Sequence, residues 1–418
     1  MIDVRLLRED LDAVRRAYDR RGGIIDLDRI VELDERHRVL LREVEDLRAE
    51  QNRASKAIGQ APPDERPAAI ATAKELSERL KGMEPELDKA ESDLNHLLAY
   101  LPNLPHESVP SGLSEEDNVV EREVGPRPEF DFEPKEHVEL GEGLHLFDGE
   151  RGAKTSGSRF VYITGAGVLL EFALVRFALD VLAEADFVPV IPPVLVREQA
   201  MFGTGFLPAE EHEFYRDERD GLYLVGTSEV PIASFHADEV LEEDRLPIRY
   251  AGFSPCFRRE AGTYGKETKG LIRVHQFDKV EQFSFTHPDR SWDEYDLIRA
   301  NQEKILQALG IPYRVLVMCA GDLGGSAAKK VDHEAWLPGG RRYLEVTSAT
   351  NATDYQARRL SVRYKGESRG LVHTLNGTAC AVGRMMVALL ENHQRADGSV
   401  AIPEALVPYT GFSELKPP

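Results

Sequence analysis

Residues 256–283 read CFRREAGTYGKETKGLIRVHQFDKVEQF, the most informative segment of the chain. Two apolar flanks enclose a loop of Gly, Lys, Thr and Glu, which is the pattern of two strands joined as a long hairpin. Arg258 and Glu260 leave the first strand. Arg273, His275, Phe277 and Glu281 line the return at mostly two-residue spacing, which predicts side chains on a shared face. Arg offers a planar fork for phosphate or carboxylate, Phe a stacking surface for a base, and Glu an anionic acceptor for an ammonium. A merely solvated hairpin has no need of so ordered a run.

Around this hairpin, helical stretches alternate with β-branched segments at Phe187–Val196, Tyr250–Phe257, Val280–Phe285, Tyr313–Met318 and Arg342–Thr347. That order predicts an α+β fold built on a mainly antiparallel sheet with flanking helices. Upstream, Ile30, Leu33, Leu40, Val44, Leu47, Ala54 and Ile58 recur at three- and four-residue intervals, predicting one long amphipathic helix from about Leu27 to Ile58. Residues 59–64, GQAPPD, break it, because two prolines lack amide donors and restrict the residues before them. A second helix runs from Pro67 to Tyr100 through Ile70, Leu76, Leu80, Leu87, Leu94 and Leu97. Together they predict an N-terminal antiparallel two-helix coiled-coil arm over about residues 28–100, roughly 45 Å long at 1.5 Å per residue. On pattern alone an oligomerisation coiled coil fits equally well. Residues 101–118, LPNLPHESVPSGLSEEDN, suit an extended linker rather than packed structure. The expected domains are therefore 1–105, a linker at 106–120, and a large domain over 121–418.

The 418 residues, 42% hydrophobic and 30% charged, are those of an ordinary soluble multidomain protein. No apolar run approaches the roughly 20 residues that would span a bilayer, and the N-terminus lacks a secretory core, so a cytoplasmic location is expected. Cys256, Cys319 and Cys380 lie too far apart for zinc spacing and are expected to be reduced thiols. The formal net charge of −21 argues against a nucleic-acid partner unless binding is local. Residues 28–100 carry a net charge of −5, but the outer part from Arg53 to Lys81 carries +2. Arg53, Lys56, Lys74 and Arg79 are its candidate phosphate contacts.

The pair FRREAG and GLIRVHQFDKVE resembles motif 2 of the class II aminoacyl-tRNA synthetases in its seryl form. VPVIPPVLV, centred on Pro193, resembles the dimer-interface motif 1, and LNGTACAVGRMMVALLENHQ resembles motif 3, with Arg384 entering a helix. VGTSEV, holding Thr227, Ser228 and Glu229, is similar to the seryl type, as are YLEVTSATNATDYQARR from Tyr343 and GDLGGSAAKKVD from Gly321. The resemblance covers essentially the whole chain, the N-terminal hairpin included.

It implies a homodimeric serine–tRNA ligase using ATP and Mg²⁺ and acting on tRNA(Ser), with tRNA(Sec) as a further substrate. Arg258 would bridge the α-phosphate and the amino-acid carboxylate, and Glu260 would meet the adenine amino group beside Arg259. Arg273 and Arg384 would hold the γ-phosphate, and Phe277 would stack under adenine with Val274 beside it. Glu345 and Ser348 would ligate Mg²⁺, with Val346 and Thr347 completing the ATP-binding segment. Glu281 and Thr227, flanked by Ser228 and Glu229, would receive the serine ammonium. Thr378, with Asn376 nearby, would receive its hydroxyl. Arg258, Arg384 and Glu345 would carry the catalysis. The motif 2 loop has Lys269 where family members often have Arg, which bears on its contact with the RNA acceptor end.

Gly165–Gly167 and Gly203–Gly205 lack the further residues of dinucleotide or phosphate loops and read as turns. His275 and His373 read as hydrogen-bonded core groups rather than metal ligands. Two other readings are a synthetase-like RNA sensor and a paralogue that charges a carrier protein. A decayed sensor would have lost one of Arg258, Glu281, Glu345 or Arg384, and a carrier-charging enzyme has no use for an RNA-reading arm.

Overall fold

The computed structural model describes residues 1–23, 25–261 and 270–418. The chain divides into two compact units, one of residues 2–19 and 23–101, the other of residues 1, 20–22 and 102–418.

In the smaller unit, α1 (Leu27–Gln60) and α2 (Arg66–Tyr100) form the long helical pair. Val44, Leu47, Leu76, Leu80 and Leu87 bury the seam, and Arg48 reaches Glu84 across it at 2.8 Å. The first helix runs on through Gly59 and Gln60, because it is Pro62 and Pro63 that withdraw amide donors. Two expected seam residues fall off the stripe. Ile70 is 53% exposed, and Leu98 rather than Leu97 is buried, since a seven-residue step from Leu87 to Leu94 and a four-residue step beyond it lead to 98.

The larger unit is built on eight strands: β1 (Val119–Val124), β2 (Val188–Val190), β3 (Ile248–Phe257), β4 (Gln276–Thr286), β5 (Tyr313–Val317), β6 (Lys329–Leu337), β7 (Arg342–Thr353) and β8 (His373–Ala381). Their order is β1-β5-β6-β7-β8-β4-β3-β2, antiparallel throughout except for the β2–β3 edge pair. Segment 187–196 does not form one strand. Pro192 and Pro193 interrupt the ladder, so β2 joins the main sheet while Leu195–Arg197 pairs in a separate three-stranded sheet. The core packs α3 (Ala166–Ala183), α5 (Ser291–Ala308) and α6 (Val382–Asn392) against the sheet, and the short α4 (Glu229–Ala233) rests on β3 and β4.

The connector differs from the expected unpacked linker. It is extended, but the Asn103 amide nitrogen donates to the carbonyls of Ser326 and Ala352 at 2.9 and 2.8 Å, and Val109 packs with Leu316, Met318 and Leu323. A Pro-rich segment with only local turn hydrogen bonds of its own, such as Val109 N to His106 O at 3.1 Å, takes further partners from the unit it crosses. Cys256, Cys319 and Cys380 are free and buried. Among the described residues no helix is long and apolar enough to cross a membrane.

Candidate active site

Strict alternation along β7 would point Glu345 and Ser348 to opposite faces, since they are three residues apart. A β-bulge at Val346 shifts the phase: Glu345 pairs with Glu334 and Ser348 with Asp332, so both carboxyl and hydroxyl face the same side. β8 repeats the device. Its bulge at Ala379 sets Thr378 opposite Glu281 while Ala381 still lies opposite Lys279. Each bulge disturbs the ladder, and Gln302 of α5 ties the two disturbed strands together. Its Nε2 donates to Ser348 O at 2.7 Å and Thr378 O at 2.9 Å.

A cleft of about 330 Å³ opens over these bulges, lined by β4, β7, β8 and the start of α6. One half is cationic. Arg258 lies over the Phe277 ring, 5.5 Å from its centroid, with Nε donating to Gly226 O at 3.2 Å. Arg273 donates to Glu260 Oε2 at 2.8 Å, and Arg384 to Glu345 Oε2 at 3.1 Å. Burial alone would raise the Glu345 carboxyl, but Arg384, Lys330 and Arg258 outweigh it and hold it at about 2. Glu260 sits at φ +49°, a left-handed conformation that costs a non-glycine residue on the order of 1 kcal/mol.

The other half is acidic and deeply buried. Gly252 of β3 permits the close approach of α4, because a Cβ there would meet Ile232 Cδ1 at 2.3 Å. That approach delivers Thr227 and Glu229 beside Glu281, Asn376 and Thr378 in the cleft. Thr378 Oγ1 donates to Glu281 Oε2 at 3.3 Å. Glu229 Oε1 accepts from Gln356 Nε2 at 2.7 Å. Burial, reinforced by Glu281, pushes the Glu229 carboxyl up to about 7.

The cleft thus gathers Arg258, Glu260, Arg273, Val274, Phe277, Glu345, Val346, Thr347, Ser348 and Arg384, together with Thr227, Glu229, Glu281, Asn376 and Thr378. Three expected residues lie elsewhere. Ser228 turns its hydroxyl under the cleft to Ser254 Oγ and Gly252 O, and Arg259 is exposed outside the lining. His275 does not share the face of Phe277. Its Nδ1 pairs with Arg258 O at 2.9 Å and its ring packs on Phe160, because β4 and its alternation begin only at Gln276. Pro193 is exposed, as are Arg53, Lys56, Lys74 and Arg79 on the helical pair. Lys269 lies outside the described residues. Among the charged residues lining the cleft, two are not singled out by the sequence, Lys279 and Lys330. For Lys279 the signal was present, since it continues the two-residue series from Phe277 to Glu281.

Glu345 and Ser348 suit a divalent cation of the Mg²⁺ type: both are hard oxygen donors, and the carboxyl is held ionised. Asp332, cross-strand from Ser348, is buried with an Oδ1 that has no hydrogen-bond partner among the described residues. Among the described residues no group of three His, Cys, Asp or Glu could hold a metal. Such an ion would therefore draw the rest of its shell from ligand oxygens and water, as Mg²⁺ commonly does.

A mainly antiparallel sheet with an arginine-lined cleft over it is the architecture expected of a class II aminoacyl-tRNA synthetase core. The profile of the tRNA synthetase class II core domain (G, H, P, S and T) matches residues 212–393, and that of the seryl-tRNA synthetase N-terminal domain matches residues 1–105. The chain is 52% identical over 421 residues to the serine–tRNA ligase of Nocardia farcinica, with both chains fully covered. Seryl-tRNA synthetase from Pyrococcus horikoshii complexed with ATP superposes with a TM-score of 0.93 at 43% identity, again over both full chains. The cytoplasmic serine–tRNA ligase of Naegleria fowleri, in complex with AMP, gives 0.89 at 34%, covering 100% of this chain and 99% of that one. The chain belongs to the seryl-tRNA synthetase family.

Proposed function

We propose that this serine–tRNA ligase activates L-serine with ATP to seryl-adenylate and transfers the seryl group to the 3′ end of tRNA(Ser), and also of tRNA(Sec). The observation that carries this reading is one cleft in which an arginine-lined half adjoins a buried acidic and hydroxyl-bearing half. A polyphosphate and a zwitterionic, hydroxylated amino acid would meet there at Arg258.

No protein nucleophile is needed. The serine carboxylate attacks the α-phosphorus and pyrophosphate leaves; the terminal ribose hydroxyl of the RNA then attacks the adenylate carbonyl, losing its proton as the acyl–phosphate bond breaks and AMP leaves. Arg258 would hold the α-phosphate and carboxylate together, so the rate comes from positioning and charge neutralisation. Arg273 and Arg384 would hold the γ-phosphate, while Phe277 and Val274 pack on adenine and Glu260 accepts from its amino group. Glu281 and Thr227 would take the serine ammonium, with Glu229 alongside, and Thr378 and Asn376 the hydroxyl. When bound through Glu345 and Ser348, Mg²⁺ would neutralise phosphate charge.

The helical pair would read the RNA through Arg53, Lys56, Lys74 and Arg79, with Lys269 meeting the acceptor end. Leu169, Phe172, Val188 and Ile191 are large exposed apolar residues on α3 and around β2, and Ile191 is 81% exposed. Their proximity in sequence to Pro193 supports a homodimer closed through this region. A cytoplasmic location accords with these substrates. ATP–pyrophosphate exchange across the amino acids tests the activity: serine should support it far better than any other. Exchange driven best by another amino acid would overturn the assignment.

A further inference from the structure

Lys279 has no part in the mechanism above, yet it is buried in the floor of the serine half, with its side chain 7% exposed. Its Nζ lies 2.5 Å from Glu281 Oε2 and 2.7 Å from Thr227 Oγ1. A buried ammonium is strongly unfavourable unless paired and hydrogen-bonded, so these two contacts account for its being tolerated there. They also do something to their partners. Glu281 Oε2 accepts from both Lys279 and Thr378, which leaves Oε1 as the oxygen to meet a ligand. Thr227 Oγ1 accepts from Lys279 and from Glu229 N at 3.1 Å, which fixes its rotamer.

The charges are uneven. Once Glu229 loses its proton, the subsite buries two carboxylates, Glu229 and Glu281, against the one ammonium of Lys279. One further cation brings the set to balance, and an amino acid supplies one. Its carboxylate need not enter this half, because Arg258 waits at the boundary.

We infer that Lys279 is a positioning residue for the amino acid: it holds Glu281 and Thr227 in the attitude that receives serine and leaves the subsite one positive charge short. The inference rests on the reading of this half as the serine site, and it goes further in giving one residue outside the substrate contacts control of serine affinity. The role acts through Glu281, so it affects the serine step and not the ATP half, which lies across the Arg258 boundary.

The test is pyrophosphate exchange by the full-length enzyme with serine and ATP varied separately, in wild type, Lys279→Met, Lys279→Ala, Glu281→Gln and the Lys279→Met/Glu281→Gln double variant. Both Lys279 variants should raise the serine KM on the order of tenfold or more and shift the ATP KM by less than about twofold. Propylammonium supplies the atoms that Lys279→Ala removes and should restore part of the serine affinity in a saturable way. The double variant should be no worse than Glu281→Gln alone, as expected when one residue works through the other. An unchanged serine KM, equal losses for serine and ATP, or strict additivity in the double variant would overturn the inference. If Lys279→Met fails to fold, the propylammonium response of Lys279→Ala decides: no response overturns it. Absence of serine-dependent exchange in the wild type would instead overturn the functional reading, and this inference with it.

Discussion

Replacing Thr378 by Val keeps the side-chain shape and removes one polar atom from the end of the cleft proposed to recognise the serine hydroxyl. Thr378 is buried, and its hydroxyl donates to Glu281 Oε2 at 3.3 Å, on the strand directly opposite. Besides that bond, the Val variant would lose the polar atom proposed to pair with the serine hydroxyl, in a site from which water is largely excluded. Leaving that hydroxyl unpaired costs roughly 1–3 kcal/mol, so the serine kcat/KM should fall about 5- to 150-fold. Alanine has no hydroxyl to pair, and Lys279 still holds Glu281, so alanine should lose only a few-fold. Selectivity should narrow from the serine side, because a site built to bond a hydroxyl rejects the analogue lacking it chiefly through its own unpaired group. The assay is pyrophosphate exchange with serine and alanine on wild type and variant. An unchanged serine-to-alanine ratio would refute the assignment of Thr378 as the hydroxyl reader.

Glu229 gives a pH dependence of defined sign. Its folded value of about 7 lies above the ordinary carboxylate range, so its stabilising proton is fully bound below the unfolded value and lost as pH rises through about 7. Thermal unfolding without ligands should therefore fall more steeply with pH, over about pH 5–8, in wild type than in Glu229→Gln, and parallel curves would count against it. Gln302→Leu leaves the carbonyls of Ser348 and Thr378 without their shared donor and should cost roughly 2–5 kcal/mol in denaturant unfolding. The same variant should weaken serine and ATP use together, and loss of only one would contradict its tying of both bulges. Reversing Arg53, Lys56, Lys74 and Arg79 to Glu should abolish tRNA charging while sparing serine-dependent exchange, whereas loss of both activities would refute the division of labour. Phe172→Glu should shift the sedimentation mass from about twice the 46.8 kDa of one chain toward a monomer, and a wild type that is itself monomeric would refute the proposed interface.

Much of this architecture is legible in the sequence because the hydrophobic periods are long and clean. The helical pair follows from a stripe of Leu and Val, and the 256–283 hairpin strands from alternation around a polar loop. What escaped lies where a period breaks or where partners come from distant chain. Glu345 and Ser348 share a face only through the extra residue at Val346, which no alternation rule supplies. Gln302 looks like any polar residue on a helix until β7 and β8 pass over it. The connector looked solvated because Pro and acidic residues dominate it, yet Asn103 finds carbonyl partners more than two hundred residues away. Ser228, adjacent to two cleft residues, faces away because α4 turns its hydroxyl onto β3. Lys279 stands in the same two-residue series as its neighbours, but the sequence alone does not mark it as a site residue, because lysines are rarely buried.

The decisive experiment is charging of unfractionated tRNA by the purified protein, with each amino acid offered in turn with ATP and Mg²⁺. Serine esterified to the 3′ end of tRNA(Ser), with no comparable product from any other amino acid, is the predicted result. Failure to load serine, or a different amino acid on a different tRNA, would contradict it.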